Sequence, residues 1–499
     1  MTGRGSRSGF RVAVIGAGTA GVATARVLSE KGFDCVVFEK HSKAGGLWAD
    51  NYYGASVQMP KSMYVFPDEP HSEEASEFMG MDEVCDYLER IIDKHEIRKC
   101  FRFNTQVTEM KQLDGGIWSL TVKDLKTDVS TDDTFDYLVM CNGTFSSKPH
   151  RPNFRGQEKF EGKIMHSSEW RSADEFAGKK VVIVGMGKSA VDACMVASEV
   201  GESAVQLVRS MHWFTTSHVG FIPTDVVVFT RFFQMMLPPF YSSSSVYKSL
   251  HKLTAPVRWL YFRTLEALML TNYRLPRKLW PKSRLEVDLL HPALFDGPRQ
   301  YLADVRSGRI DVKMTTIDEI KEATVVLSSG EEVEADLILL ATGWDKTIGL
   351  FNDEILSRLE VEEDGIWMYK NILPPGIDRM AFIGSNAFTV INPMTHMVQA
   401  KWLVAMLTNQ MPIPSRKEME QDIWKMKQSR RAITPMNAMR ASCIQFHMQS
   451  YHDDLFKDMN VSTRKRSGVM GWIEHYIYPI TPAGENEVVK RCPPTVRSK

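Results

Sequence analysis

A glycine-rich turn between an apolar strand and a helix occurs twice in this chain. The first turn opens at Gly16 and continues through Gly18 and Gly21 with G-x-G-x-x-G spacing, and the second opens at Gly185 as G-x-G-x-x-A. In such a turn the first glycine permits the sharp bend and the second lets the backbone approach a pyrophosphate, while the last small residue lets helix and strand pack closely. The sequence therefore predicts an α/β protein with two dinucleotide-binding, Rossmann-like domains.

The residue that ends the following strand differs between the two units. Glu39 stands there in the first unit, where a carboxylate hydrogen-bonds ribose hydroxyls and disfavours a 2′-phosphate, which suits FAD or NAD. Arg209 stands there in the second unit, where a guanidinium can pair with the 2′-phosphate of NADPH; a solvated strand end is its alternative role. The predicted nucleotide contacts are Gly16, Gly18, Thr19, Ala20, Gly21 and Glu39 in the first unit, and Gly185, Gly187, Lys188, Ser189, Ala190 and Arg209 in the second.

Length and charge limit the domain count and the partners. A chain of 499 residues exceeds what one hydrophobic core usually organises, so two or three domains are expected. Its 61 basic and 61 acidic residues balance, which gives no support to a nucleic-acid partner or a polyanionic substrate. Two nucleotide sites of opposite 2′ preference indicate one bound flavin and one exchanging reductant, with a small molecule as substrate.

The cysteines bear on the electron acceptor. Seven cysteines are scattered along the chain and never lie closer than fifteen residues. This spacing excludes a C-x-x-C redox pair or a zinc cluster, so no metal site is predicted. The cysteines are expected to be reduced thiols of an intracellular protein. Because a dithiol acceptor would need a paired motif, oxygen or a small organic acceptor is left.

Targeting signals are weak. The basic lead before residue 9 is too short for a secretory signal, so a cytoplasmic protein is expected. No apolar run approaches the roughly 18 residues that indicate a membrane-spanning helix. The nearest, residues 226–241, is interrupted by Arg231 and by a pair of prolines at 238 and 239. Peripheral contact with an intracellular membrane is left open.

Four further motifs accompany the two turns. They read G-G-L-W at residues 45–48, V-Q-M-P-K at 57–61, F-E-G-K-I-M-H-S-S-E-W at 160–170 and A-T-G at 341–343. In content and order, the motifs resemble those of the flavin-containing monooxygenase family, with matches from about residue 10 to residue 402. The resemblance identifies Gly46, Leu47 and Trp48 as part of a flavin-proximal turn, with a place in the core as the alternative role of Trp48.

The resemblance implies FAD in the first site and NADPH in the second. NADPH would reduce FAD, the reduced flavin would add O2 to give a C4a-peroxyflavin, and a nucleophilic nitrogen or sulfur would take up one oxygen atom. A Met-rich stretch over residues 394–450 fits a small lipophilic substrate. Gln58 matches the amide expected at the reactive edge of the flavin, with a turn or surface role as the alternative. His166 matches the family residue that connects the nucleotide domains, with a catalytic role as the alternative.

Baeyer-Villiger monooxygenases, which oxygenate ketones, share this architecture and are the nearest rival. They usually place Asp where Gln58 stands and Pro or Asp where Arg171 stands, and they carry a Lys-Arg pair that residues 289–299 lack. These differences favour oxygenation of a heteroatom. Two other hypotheses stay open: an NADPH-dependent reductase or oxidase with a small acceptor, and a non-catalytic nucleotide-binding protein.

The order of the motifs predicts that one domain is inserted in the other. Residues 8–155 and 325–499 are expected to form the FAD domain with a C-terminal extension, and residues 156–324 the NADPH domain. Residues 212–284 are too long for a loop and are expected to form a helical insertion that helps to shape the substrate side, with plain core packing as the alternative. A helix expected from residue 395 carries His396 where the family often has an acid. The sequence does not predict the oligomeric state.

Overall fold

The computed structural model describes residues 9–145, 148–214, 227–290, 299–345 and 350–492, together with the backbone of two short strands at 218–219 and 222–223. The strands in this part of the chain are β1 Arg11–Ile15, β2 Asp34–Phe38, β3 Phe101–Arg102, β4 Thr105–Gln112, β5 Trp118–Asp124, β6 Ser130–Phe135, β7 Tyr137–Met140, β8 Lys163–His166, β9 Lys180–Val184, β10 Ser203–Val208, β11 His218–Val219, β12 Ile222–Pro223, β13 Ile310–Met314, β14 Ile317–Ile320, β15 Thr324–Leu327, β16 Glu332–Glu334, β17 Leu337–Leu340, β18 Met380–Phe382, β19 Phe388–Thr389 and β20 Cys443–Gln445. The α-helices are α1 Thr19–Glu30, α2 Met81–Lys94, α3 Lys188–Val200, α4 Arg231–Met236, α5 Ser245–Leu253, α6 Ala255–Tyr273, α7 Leu285–Asp288, α8 Arg299–Ser307, α9 Asp353–Leu359, α10 Asn392–Leu407, α11 Arg416–Ile433, α12 Met448–Asp458, α13 Gly468–Ile477 and α14 Pro482–Lys490.

The first sheet has five parallel strands in the order β18-β7-β1-β2-β3. Its inner strands β1 and β7 are almost entirely buried, which explains their continuous apolar sequences. Because β1 has β2 on one side and β7 on the other, its carboxyl end borders the crevice in which such sheets bind nucleotides. Gly16 follows β1 at that end.

The second sheet repeats this arrangement with the parallel order β13-β10-β9-β17-β8. Its central strand β9 leads into the second glycine turn. A three-stranded antiparallel sheet, β14-β15-β16, packs one face of this sheet through a shared apolar cluster that includes Val182, Ile320, Val325 and Ile338. The prediction of an α/β protein with two Rossmann-like units is confirmed by these two parallel sheets.

The chain returns to the first sheet later than residue 325, the boundary predicted from the sequence. Strand β17 pairs with β8 and β9 and therefore belongs to the second sheet. The apolar core of the first unit resumes only at Phe351, which packs with Ile355 and Phe382. In sequence, the apolar run 337–340 does not reveal which parallel sheet it will join, and the structure pairs it with the second sheet.

Helices fill much of the described part of the predicted insertion, as α4, α5 and α6. The described part of the apolar run, residues 227–241, contributes mainly to the core, since Phe229, Phe233 and Leu237 are buried. Within the described residues, no helix is both long and apolar enough to cross a membrane.

Helix α10 brings the end of the chain back to the first nucleotide unit. It begins at Asn392, three residues before the predicted start, and packs along α1. It follows β18, which pairs with β7 in the first sheet. Both halves of the first unit therefore meet at the glycine turn.

Candidate functional site

The first glycine turn is sterically closed to larger residues. Gly16 has a φ of +104°, and its N–H donates to the Phe38 carbonyl at 2.8 Å, which ties the turn to the neighbouring strand. A Cβ atom on Gly21 would lie 1.9 Å from the Gly16 carbonyl oxygen. Helix α1 therefore crosses the turn at a distance that only glycine at position 21 permits.

Both turns lead into helices whose N-termini are open to an anion. Gly18 and Gly187 are the N-cap residues of α1 and α3, and neither helix has a side-chain cap or an acid in its first turn. The first backbone N–H groups of a helix have no partner within the helix, and its dipole favours a negative charge there. Ser189 is half-buried and Ala190 is buried in the first turn of α3. Each end has the form of a phosphate site.

Glu39 places a fixed negative charge beside the first turn. Its carboxylate is buried and accepts hydrogen bonds from the backbone N–H groups of Ala17 at 2.7 Å and His41 at 2.9 Å. Burial raises the pKa of Glu39, but the bonds from His41 and Ala17 outweigh burial and bring that pKa below its usual value. The carboxylate is therefore ionised at neutral pH.

The G-G-L-W segment packs directly on the first turn. Gly46, Leu47 and Trp48 form one turn of 3-10 helix. A Cβ atom on Gly46 would lie 2.9 Å from the Gly18 Cα atom, so the backbone of this segment touches the first glycine turn. Trp48 Nε1 donates to the Tyr64 hydroxyl at 2.8 Å, and burial raises the pKa of Tyr64 to about 12. The segment predicted to lie near the flavin thus adjoins the phosphate-type site.

His396 reaches the first turn from α10, a contact that the sequence did not predict. Its Nδ1 atom lies 2.9 Å from the Thr19 hydroxyl oxygen, and a Cβ atom on Gly384 would lie 2.6 Å from its Nε2 atom. Burial lowers the pKa of His396 to about 3, so the ring is neutral. Ala20 is buried beside Thr19. The departure from the family at residue 396 was visible in the sequence, but its partner on α1 was not.

The second turn has open space beside Gly187 and a cationic side chain at Lys188. A Cβ atom on Gly187 would meet no atom of the described structure within 4 Å. The Lys188 ammonium lies 2.5 Å from the Asp192 carboxylate, which also accepts from the Tyr52 hydroxyl at 2.7 Å. The Gly185 carbonyl accepts a hydrogen bond from Gln206 Nε2 at 2.9 Å, which fixes the second turn. Lys188 is thus paired with a carboxylate on the same helix.

Arg209 lies at the end of β10 with its side chain exposed. No described residue forms an ion pair with its guanidinium, whereas Lys188 is paired with Asp192. Its position after the strand corresponds to that of Glu39 in the first unit. The two units therefore present opposite charges at equivalent places, one buried and fixed, the other exposed.

His166 is fully buried, and both of its ring nitrogens are used. The Ser168 N–H donates to Nδ1 at 3.1 Å, so Nε2 carries the proton and donates to the Gly343 carbonyl at 3.0 Å. Burial lowers the pKa of His166, and its ring packs edge-on against Trp344 at 5.5 Å. These bonds tie the end of β8 to the turn after β17.

Trp170, four residues later, connects the two units. Its buried ring stacks on Phe176 at 4.7 Å and lies parallel to Tyr52 of the first unit at 6.1 Å. The backbone N–H of Tyr53 also donates to the Trp170 carbonyl at 2.9 Å. The long motif at 160–170 therefore fixes one nucleotide unit against the other.

Gln58 is half-buried between two buried residues, Val57 and Met59. Val57 packs in a small apolar cluster with Tyr64, against which Trp48 also packs. The segment that carries Gln58 therefore borders the G-G-L-W turn.

The model of the flavin-binding monooxygenase-like family matches residues 9–467. The chain belongs to this family. Flavin-containing monooxygenase 3 of Rattus norvegicus is 27% identical over 438 residues, which cover 83% of this chain and 76% of the relative. Dimethylaniline monooxygenase (N-oxide-forming) 2 of Mus musculus is 27% identical over 476 residues, which cover 89% of this chain and 82% of the relative. The predicted family and enzyme class are confirmed, and the protein is a flavin monooxygenase.

Solved structures of the same fold include two enzymes whose names indicate different reactions. S-allyl-L-cysteine S-oxygenase from Allium sativum aligns with a TM-score of 0.63 at 20% identity and covers 98% of this chain and 95% of its own. Cyclohexanone monooxygenase from Rhodococcus sp. Phi1, bound to NADP+, aligns with a TM-score of 0.64 at 19% identity and covers 89% of this chain and 97% of its own. At these identities the likeness establishes the fold.

Proposed function

We propose that the protein uses NADPH to transfer one oxygen atom from O2 to a nucleophilic nitrogen or sulfur of a small lipophilic substrate, releasing the other atom as water. FAD occupies the first site and NADPH the second. The observation that carries this assignment is the opposite charge of Glu39 and Arg209 at equivalent strand ends.

The residues of the first site fit FAD. The open N-terminus of α1 offers backbone N–H groups to a pyrophosphate, and Gly18 presents no side chain there. Glu39 is ionised and accepts hydrogen bonds, so it would hold the ribose hydroxyls. Gln58 would approach the reactive edge of the flavin as a neutral donor and acceptor. Bound FAD supplies the redox and oxygen chemistry that side chains lack.

The residues of the second site fit NADPH. No described atom lies within 4 Å of a Cβ atom built on Gly187, so a pyrophosphate could approach the backbone there. The exposed Arg209 guanidinium would form a bidentate pair with the 2′-phosphate. Lys188 would exchange Asp192 for a phosphate oxygen when the nucleotide binds. His166 and Trp170 would keep the two units aligned, so that the nicotinamide meets the flavin.

Heteroatom oxygenation is preferred over Baeyer-Villiger chemistry. The curated relatives include an N-oxide-forming dimethylaniline monooxygenase at 27% identity. The S-oxygenase and cyclohexanone monooxygenase share the fold at 20% and 19% identity, and neither decides between the two reactions. Gln58 and Arg171, which differ from the Baeyer-Villiger pattern, also support a nucleophilic substrate.

A panel of substrates of similar size tests the proposal. The FAD-loaded protein is given NADPH, O2 and either a tertiary amine, a sulfide or a ketone, and products are identified by mass. We expect an N-oxide or a sulfoxide in a near 1:1 ratio to NADPH consumed. An ester formed from the ketone would assign Baeyer-Villiger chemistry, and peroxide as the sole product would assign an NADPH oxidase.

We also propose that the enzyme works in the cytoplasm at the surface of an intracellular membrane. Support comes from the outward-facing apolar residues of the helical insertion, such as Val246 and Leu253, which are both 78% exposed.

A further inference from the structure

A cavity lies where the helical insertion meets the C-terminal part of the chain. It encloses about 490 Å³, including its open mouth. Its wall is formed by residues 239–241 after α4, by Leu290 after α7, by the end of α11 with the loop that follows, and by the segment that contains β20. Among the described residues that line the cavity, none belongs to a glycine turn. The cavity is therefore separate from both nucleotide sites.

The wall of the cavity combines apolar side chains with a few polar groups. Its apolar part includes Phe240, Leu290, Ile433 and Ile444. The Tyr241 hydroxyl donates to Asp422 at 2.9 Å, and His447 Nε2 donates to the Pro238 carbonyl at 2.8 Å. Burial lowers the pKa of His447 to about 4, so its ring is neutral at pH 7. An apolar wall with a few fixed polar groups is the usual composition of a small-molecule site.

The wall also contains a guanidinium with unused donors. Arg430 Nη1 donates to the backbone carbonyls of Arg440 at 3.0 Å and Ala441 at 2.6 Å. Its Nη2 atom is buried, and no described residue accepts a hydrogen bond from it. By contrast, Arg431 and Arg440 both pair with the Asp364 carboxylate, at 2.8 and 3.0 Å. Because arginine stays protonated in proteins, Nη2 of Arg430 presents two N–H donors and a positive charge.

The surroundings of Arg430 supply no negative charge to balance it. The described titratable groups that act on it most are the Cys443 thiol and the phenols of Tyr241 and Tyr451. Burial raises the pKa of all three groups, to about 12 for Cys443, so all three are neutral at pH 7. None of the described residues that line the cavity is Asp or Glu. A buried charge without a counter-ion is costly, and the two carbonyls bound by Nη1 offset only part of that cost.

We propose that the cavity binds a small organic carboxylate with an apolar body, whose oxygen atoms accept hydrogen bonds from Arg430 Nη2 and whose body lies against Ile433 and Ile444. A carboxylate matches the single charge of Arg430, whereas phosphate brings a second charge that the apolar wall would leave unpaired. The apolar wall also favours a carbon chain over acetate. The test of this site does not depend on the proposed reaction, because the cavity is separate from both glycine turns.

Isothermal titration calorimetry on the FAD-loaded full chain tests the proposal with octanoate, acetate, octanol and inorganic phosphate as probes. We expect saturable binding of octanoate. Binding should be weaker by about tenfold or more for acetate, which lacks the apolar body, and for octanol, which lacks the charge. Saturating NADP+ should not displace octanoate, because the cavity lies apart from the second glycine turn.

Two variants change the charge inside the cavity. Arg430→Gln keeps amide donors for the two backbone carbonyls but removes the positive charge, so it should weaken octanoate binding by about tenfold or more. Ile433→Glu retains Arg430 and places a carboxylate three residues further along α11, where it can pair with the guanidinium and exclude octanoate to a similar degree. The matched control Arg416→Gln removes an exposed arginine at the start of the same helix and should bind octanoate like the wild type.

All three variants should retain FAD, and Ile433→Glu decides the outcome if Arg430→Gln does not fold. The proposal is overturned if the wild type shows no saturable binding of octanoate, or if octanol binds as tightly as octanoate. It is also overturned if Ile433→Glu binds octanoate as the wild type does, or if Arg416→Gln loses as much affinity as the two cavity variants. Tighter binding of phosphate than of octanoate would assign the cavity to an inorganic anion instead, and displacement of octanoate by NADP+ would place octanoate in a nucleotide site.

Discussion

Arg209→Ala is expected to lower kcat/KM for NADPH by about 10- to 100-fold and to leave kcat/KM for NADH nearly unchanged. A charge-assisted hydrogen bond contributes about 1.5 to 3 kcal/mol, and about 1.4 kcal/mol corresponds to tenfold in affinity. The exposed Arg209 guanidinium has no ion-pair partner among the described residues, so it is available to a 2′-phosphate. Flavin reduction under anaerobic conditions, followed by absorbance at several concentrations of each nucleotide, measures the effect.

Two further variants sharpen the test of Arg209. Arg209→Lys keeps the charge without the planar fork and should give an intermediate preference for NADPH. Arg102→Ala removes another exposed arginine, at the end of β3 in the first unit, and should leave the preference as in the wild type. If Arg209→Ala retains the wild-type ratio of NADPH to NADH activity, the assignment of the second site is wrong.

Gly187→Ala is expected to yield a folded, yellow protein that NADPH reduces poorly. Gly187 has a φ of −73°, so alanine adds no backbone strain, and its Cβ atom would enter space that no described protein atom occupies. If that space receives the pyrophosphate, the methyl group blocks it, and we expect KM for NADPH to rise by tenfold or more. Thermal unfolding and FAD content should match the wild type.

Gly21→Ala is the partner experiment in the first unit. Its Cβ atom would lie 1.9 Å from the Gly16 carbonyl oxygen, so the helix must move away from the turn. We expect a protein that purifies without flavin colour or does not fold. A Gly187→Ala protein with unchanged KM for NADPH would contradict the assignment of the second turn as a pyrophosphate site, whatever Gly21→Ala does.

The two Rossmann-like units could be predicted because their signals are local. Each unit is indicated by one contiguous stretch in which an apolar strand, a glycine turn and a helix follow one another. The residue that follows the next strand of each unit, Glu39 or Arg209, is also a local signal, because it lies at a similar distance in sequence from its glycine turn. The long motif ending at Trp170 was also informative, and the structure uses it to link the two units.

Features that depend on contacts between segments far apart in the chain could not be predicted from the sequence. Strand β17 has the composition of any buried parallel strand, so its sheet could not be assigned before its pairing with β9 was seen. The same limit applies to His396, whose contact with Thr19 joins positions far apart in the chain. Two cysteines illustrate the same limit. Cys35 and Cys100 are far apart in the sequence, yet their sulfur atoms both lie within 3.6 Å of the Ser29 hydroxyl oxygen.

Side-chain partners at the second site were likewise invisible. The sequence predicts Lys188 as a nucleotide contact, and the structure pairs its ammonium with Asp192, one helical turn further along α3. The carboxylate in turn binds Tyr52 from the other unit. The sequence supplied the residue types for this site, and the arrangement of their charges required the fold.

The origin of the transferred oxygen atom tests the central claim most directly. The FAD-loaded protein, NADPH and a nucleophilic amine or sulfide react under isotopically labelled O2, and the mass of the product is measured. We predict that one labelled atom appears in each product molecule and that labelled water alone does not label the product. NADPH oxidation that yields only labelled peroxide, or product oxygen derived from water, would contradict the account.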